Sequence, residues 1–267
     1  MVEVAELKSV AVNGVDLAYT DFVGIGRPVV ALHGSFGRGA VFTRLAGDLA
    51  SSAHVIAPDQ RGHGYSSHTD SYTDADFVAD IAGLVRHLDL GPVVVLGHSR
   101  GGITAYQLAA RHPELVAALI IEDVGPLMRS PEIEHPVLDV LGWPETAATK
   151  NELADALRAR GIPEPGYFMQ SAVPTADGRW GLLFDWNEMM TVQISECYVV
   201  NSSDCVMPIS LGGGSMRSLL LAVLAVLALF TLFAAWDTAI QLVFLVLVLW
   251  WLFRPAGLFR RHRVVRR

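Results

Sequence analysis

The feature that most constrains this chain is an apolar run that ends in a glycine-rich turn and passes directly into a helical pattern. The stretch is VVVLGHSRGGITAYQ, residues 93–107. A short run of Val and Leu is typical of a buried strand. Such a strand feeding a helix is the repeating unit of parallel sheets. In the turn Gly97-His98-Ser99-Arg100-Gly101, the glycines leave room for the neighbouring strand and helix. We therefore predict that Ser99 is a nucleophile.

The same alternation of short apolar runs and helical spacing extends over the first half of the chain. Right-handed crossovers between such units build a sheet with helices on both faces. The predicted strands are 15–20, 28–34, 54–59, 92–98 and 117–123, and the predicted helices are 40–50, 74–90 and 100–111.

The alternation of apolar runs and helical segments ends after this core, which we assign to residues 1–124. Residues 125–193 are rich in Pro and Trp, with one good helical segment at 151–160. Long insertions of this kind over a sheet are often lids, so we predict a cap. Residues 194–210 then contain the strand-like run CYVVN and a turn, and we assign them to the core again.

The C-terminal part has a different character. LGGGSM, residues 211–216, has linker composition. Up to Met216 there are 13 basic and 26 acidic residues, whereas 217–267 contain seven Arg and one Asp. Apolar runs at 219–235 and 239–253 predict a transmembrane helical hairpin through 217–253. The Arg-rich end would then keep the N-terminal domain cytoplasmic and anchored to the membrane. A buried pair of core helices is the alternative.

The acidic N-terminal part argues against nucleic-acid binding. Its first ten residues show no cleavable signal peptide. The cysteines Cys197 and Cys205 are too few for a disulfide framework and too widely spaced for a CxxC site. We expect a small-molecule substrate, with no metal and no cofactor.

Several motifs together resemble the α/β-hydrolase superfamily over residues 1–208. They are His33-Gly34 at a strand end, APDQRGHGYSS at 57–67, the turn at Ser99, and LIIEDVGP at 119–126 before the cap. The resemblance implies an α/β fold and a serine hydrolase that acts on an ester or related carbonyl. It also implies that Asp59, Arg61 and His63 hold their loop.

We expect backbone N–H groups of Ser35, or alternatively Phe36, and of Arg100 to form an oxyanion hole. The resemblance places the catalytic acid at Asp204, in YVVNSSDCVMP, with Asp123 as the alternative. It places the histidine after the acid, in a Gly-His context on a loop after a further helix and strand. The single histidine in that part of the chain is His262, inside the Arg-rich tail.

We therefore expect a hydrolase domain that lacks its last helix and strand and has impaired activity, since a serine hydroxyl without a base is a poor nucleophile. Two alternatives remain, a non-catalytic membrane-tethered binding module and a chimeric or frame-shifted product. For the second, LVLVLWWLFRPAGLFRR at 245–261 is similar to the end of branched-chain amino-acid ABC-transporter permeases. The alternative interpretation of this run is an ordinary membrane span with a basic cytoplasmic stop.

Overall fold

The computed structural model describes residues 5–124 and 136–195. Residue contacts divide the chain between Met207 and Pro208, and all described residues belong to the first unit. Other predictions lie outside the described residues and stay predictions. They are the strand at 197–201, Asp204, the linker at 211–216, and the hairpin at 217–253 with its basic, permease-like end. No helix among the described residues has the length and hydrophobicity needed to cross a membrane.

A six-stranded sheet forms the centre of the domain. Its strands are β1 (Glu6–Val12), β2 (Val15–Asp21), β3 (Arg27–Leu32), β4 (Ala53–Pro58), β5 (Val93–His98) and β6 (Val116–Glu122). They lie in the order β1-β2-β4-β3-β5-β6. The pairs β4–β3, β3–β5 and β5–β6 are parallel, as the alternating pattern predicts.

The first two strands depart from the predicted parallel arrangement. β1, which the sequence analysis missed, forms a hairpin with β2 through Asn13 and Gly14, both at positive φ. An Asn-Gly pair between strands is the sequence signature of such a turn. β2 also pairs antiparallel with β4. The segment between β2 and β3 has five residues, too few for the crossover that parallel strands need.

Helices cover both faces of the sheet. They are α1 (Thr43–Leu49), α2 (Asp74–His87) and α3 (Arg100–Arg111), each inside its predicted range. On one face, α2 and α3 bury the apolar side chains of β3 and β5. On the other face, α1 packs on Ala31, Val55 and Ala57. The carboxyl ends of β3 and β5 are therefore held in place by helices packed on both faces of the sheet.

The described part of the cap, 136–195, has its own small core. It contains β7 (Thr146–Ala147), α4 (Lys150–Ala159), β8 (Ala172–Pro174), β9 (Trp180–Leu182) and α5 (Trp186–Ser195). Its three strands pair in the order β7-β9-β8. Aromatic and aliphatic side chains of this region pack together with Phe36, Tyr72 and Phe77 of the main domain. The cap is thus joined to the main domain by a shared apolar cluster.

Candidate active site

Ser99 lies in the turn between β5 and α3, in a backbone conformation that L-residues rarely adopt. Its φ and ψ are 50° and −121°. The Ser99 N–H donates to Glu122 O at 2.9 Å, and Ser99 O accepts from the N–H groups of Gly102 and Ile103 at 2.7 and 3.2 Å. Strained residues of this kind persist only where their surroundings hold them, and they cluster at functional sites. The turn therefore has the geometry of a nucleophile elbow.

The glycines of the elbow are required by close backbone approach. A Cβ on Gly97 would collide with the carbonyl of Gly101, and a Cβ on Gly101 would collide with the carbonyl of Leu32 in β3. Both obstacles are backbone atoms, which cannot rotate aside. The sequence prediction that these positions need glycine for steric reasons is consistent with this geometry.

The loop after β3 lies directly against the elbow. A Cβ on Gly34 would sit 3.0 Å from Ser99 Cβ and 2.9 Å from His98 Nδ1. Ser35, the next residue, is half-buried. The structure therefore brings Gly34, the residue before Ser35, against Ser99 at the start of α3. An oxyanion hole formed by the Ser35 and Arg100 N–H groups stays a prediction.

The side chain of Arg100 points away from this site. It is fully buried, pairs with Asp74 Oδ1 at 2.8 Å, and lies with its guanidinium carbon 4.1 Å from the centroid of the Phe77 ring. Gln107 Nε2 donates to the other Asp74 oxygen at 2.9 Å. Arg100 can therefore contribute to the chemistry through its backbone N–H alone.

Buried polar side chains hold the loop after β4 in place. Arg61 donates to both carboxylate oxygens of Asp80, at 2.7 and 2.8 Å. Asp59 accepts from the backbone N–H groups of Gly39 and Tyr65, at 2.6 and 2.9 Å. Burial raises the pKa of Asp59 against the effect of these two donors. Arg61 thus ties this loop to α2 through Asp80, and Asp59 holds two backbone N–H groups, which agrees with the structural role that the resemblance implies for these two residues.

Two buried histidines lie beneath the loop after β3. His33 Nε2 accepts from Gln60 N–H at 2.9 Å, so the proton is on Nδ1, which donates to Gly34 O at 2.7 Å. Burial lowers the pKa of His33 to about 4 and that of His63 to about 3. The two rings lie 5.0 Å apart, centroid to centroid. Both are therefore neutral at pH 7.

Three side chains near Ser99, those of His98, Asp123 and Tyr167, make contacts that the sequence analysis did not predict. His98 Nε2 is 3.9 Å from Asp123 Oδ2, and the His98 ring meets the Tyr167 ring at 5.6 Å between centroids. Asp123, the alternative acid, thus lies beside His98. The sequence placed each residue at the end of a predicted strand, but it did not place the two strands side by side. No sequence motif marked Tyr167 of the cap as a residue of the site. Asp204 lies outside the described residues and stays a prediction.

The tryptophans of the cap are packing residues. Trp143 and Trp186 are buried, with ring centroids 5.3 Å apart, and Trp186 also contacts Phe184. A cavity of about 320 Å³ borders Trp186 on the cap side, with His68, Thr146 and Thr175 in its wall. Ser99 does not line this cavity. Trp143 and Trp186 are therefore core residues of the cap.

Comparisons with known proteins match the N-terminal part of the chain. A model for the alpha/beta hydrolase fold matches residues 27–164. The sn-1-specific diacylglycerol lipase ABHD11 of Xenopus laevis is 35% identical over 130 residues, 47% of this chain and 42% of the relative. The 2-(acetamidomethylene)succinate hydrolase of Mesorhizobium japonicum is 37% identical over 119 residues, 44% of this chain and 41% of the relative.

A solved structure of E-2-(acetamidomethylene)succinate hydrolase superimposes with a TM-score of 0.58 at 26% identity, covering 72% of this chain and 73% of that one. The chain spans about two fifths of the length of the curated relatives that it matches. The family model covers more than half of the 267 residues, and it includes the loop after β3 and the elbow. The chain therefore belongs to the alpha/beta hydrolase fold family.

Proposed function

We propose that this chain is a serine hydrolase that cleaves an ester or related carbonyl compound, with Ser99 as the nucleophile. The observation that carries the proposal is the strained elbow at Ser99 with the Gly34–Ser35 backbone packed against it. The names of two relatives, a diacylglycerol lipase and a 2-(acetamidomethylene)succinate hydrolase, support a hydrolytic reaction of this class.

In the proposed reaction, Ser99 Oγ attacks the carbonyl carbon and gives its proton to a base. The N–H groups of Ser35 and Arg100 hold the negative oxygen of the tetrahedral intermediate. The intermediate expels the alcohol, which takes up a proton, and leaves an acyl group on Ser99. Water then releases the acid and regenerates the hydroxyl. Asp204 would orient the base, and Asp123 is the alternative for this role.

The test is hydrolysis of an activated ester such as p-nitrophenyl butyrate by the full chain. Ser99→Ala is expected to reduce hydrolysis to the uncatalysed background rate, because no acyl group can form on the protein without the Ser99 hydroxyl. Ser51→Ala, an exposed serine in the turn before β4, is the matched control and should keep the parent rate. Equal rates for Ser99→Ala and the parent would refute the proposal.

The expected impairment is tested in the same assay. A parent chain that binds the ester without turning it over would support the non-catalytic binding module instead. A continuous transcript across codons 193–216 would count against the chimeric or frame-shifted product.

The C-terminal segment carries a separate proposal. Residues 217–253 would anchor the hydrolase domain to a membrane with that domain on the cytoplasmic side. Support comes from the two apolar runs and the Arg-rich end. Retention of the full chain in the membrane pellet after alkaline carbonate extraction is expected, and complete release would refute the anchor.

A further inference from the structure

The turn from Gly34 to Gly37, here called the oxyanion turn, has one carbonyl that accepts three hydrogen bonds. Gly34 O accepts from His33 Nδ1 at 2.7 Å, from Gly37 N–H at 3.2 Å, and from the Tyr167 hydroxyl at 3.1 Å. Two of these donors are neighbours in sequence, whereas Tyr167 is 133 residues away. The direction of this carbonyl is therefore fixed partly by the cap.

The direction of Gly34 O determines the direction of the Ser35 N–H. The C=O of one residue and the N–H of the next are the two ends of a planar trans peptide and point in opposite directions. Any side chain that holds Gly34 O thus also aims the Ser35 N–H. This N–H is the donor that the proposed mechanism places opposite Arg100.

Tyr167 is suited to this task because its hydroxyl contacts both polar groups of one residue. It accepts from Gly34 N–H at 2.8 Å and donates to Gly34 O. Burial raises the pKa of the Tyr167 phenol, so the hydroxyl keeps its proton and remains a donor. The ring also passes so close to Gly37 that a Cβ there would collide with the hydroxyl.

The cap holds the other half of the oxyanion turn through Phe36. This residue has φ of 68°, the left-handed value found at the third position of a type II turn, where glycine is usual. Its ring stacks on Phe168 at 4.9 Å and also meets Phe184 and Trp186, with ring centroids 5.7 and 6.1 Å away. The hydroxyl of Ser171 donates to Phe36 O at 3.4 Å. The strained conformation is thus held by cap side chains.

We propose that Tyr167 is a positioning residue of the oxyanion hole: its phenol fixes the Gly34–Ser35 peptide so that the Ser35 N–H faces the developing oxyanion. The proposal rests on the proposed function, since it assigns a role in acyl transfer at Ser99. It makes the cap a structural part of the catalytic site, because it supplies the group that aims one of the two donors.

The test is the labelling of the full chain by a fluorophosphonate. In this reaction Ser99 Oγ bonds to phosphorus, fluoride leaves, and the hydroxyl proton passes to a base. The phosphoryl oxygen occupies the oxyanion position. Rates over a range of probe concentrations give the saturating rate and the half-saturation concentration separately. Tyr167→Phe keeps the ring and removes both hydrogen bonds, and Tyr65→Phe, at a half-exposed tyrosine, is the matched control.

We expect Tyr167→Phe to lower the saturating rate about 10- to 100-fold, somewhat less than the loss of an entire oxyanion donor. The half-saturation concentration should stay within about twofold, because ground-state binding does not use the donor. Gly37→Ala, which displaces the phenol without removing it, should lower the same rate. Tyr65→Phe should behave as the parent chain does.

Parent rates in folded Tyr167→Phe, with melting curves like that of the parent, would overturn the inference and leave the proposed function intact. A Tyr167→Phe chain that fails to fold would also count against it, since Tyr167 would then support the whole domain and not one peptide. Absence of labelling in the parent chain would refute the proposed function and the inference together.

Discussion

The two turns that meet at the candidate site are both strained, but different parts of the molecule hold them. The elbow at Ser99 is held locally, by the Gly97–Gly101 contact, by Glu122 O in the neighbouring strand, and by the start of α3. The oxyanion turn at 34–37 is held by Tyr167 and by the aromatic cluster around Phe36, which come mainly from the cap.

This difference separates two properties of the site. The elbow is stable as long as the central sheet is stable, because backbone atoms of β3 and β6 fix it. The oxyanion turn depends in addition on the cap, whose contacts are side-chain contacts and can change without unfolding the sheet. Nucleophile position and oxyanion stabilisation are therefore expected to respond to different mutations.

The largest expected effect comes from breaking the elbow. Gly101→Ala places a Cβ against the backbone carbonyls of Leu32 and His33. We expect a loss of about 3–5 kcal/mol in the free energy of unfolding, because neither β3 nor α3 can move aside in a packed core. Urea denaturation measures it. Gly47→Ala, in α1 with open space around it, is the control and should gain about 0.5–1 kcal/mol.

Lowering the pH is expected to reduce the free energy of unfolding through His33, the residue that precedes the oxyanion turn. His33 has its pKa lowered to about 4, from an ordinary value of 6.5, so between these pH values the unfolded chain binds a proton that the folded chain does not. The stability from neutral His33 is present above pH 6.5 and is lost as pH falls towards 4. We expect this loss to be on the order of 3 kcal/mol.

The measurement is the free energy of unfolding of the parent and of His33→Gln across that pH range. The variant should show a shallower slope, by up to about 1.4 kcal/mol per pH unit. Identical slopes would show that His33 does not titrate between the folded and unfolded chains in this range.

A milder change tests the cap side alone. Phe168→Leu weakens the ring that stacks on Phe36 and is expected to cost about 1–2 kcal/mol. Hydrogen exchange at the amide of Gly37 should speed up, while that of Gly102 in the elbow stays as in the parent. Phe22→Leu, in the core under α1, should cost a similar amount without this selective change. Equal acceleration at both amides would contradict the separation of the two turns.

Sequence reasoning pointed to both turns, but it missed the cap residues that hold the second one. The glycines and the apolar run around Ser99 are adjacent in the chain, so their pattern reports the turn directly. The contact between Gly34 and Tyr167 spans 133 residues and depends on how the cap packs, which no local pattern encodes. The cap strands have two or three residues each, too few to show a period.

Two further differences have equally specific causes. β1 was missed because lysine and glutamate interrupt its apolar positions, although the Asn13-Gly14 hairpin signal was present. The proximity of His98 and Asp123 requires the register of β5 against β6, which pairs His98 with Glu122. Strand order and register are set by the assembled sheet, and the sequence of either strand alone does not specify them.

The central claim is that Ser99 is the nucleophile, and one measurement tests it most directly. Trypsin cleavage after Arg86 and Arg100 releases the peptide HLDLGPVVVLGHSR, in which Ser99 is the single hydroxyl residue. After treatment of the full chain with a fluorophosphonate, mass spectrometry should find the phosphonyl adduct on this peptide, and unfolding in urea before treatment should abolish it. An unmodified peptide 87–100 from the folded chain, at probe concentrations that label serine hydrolases, would contradict the account.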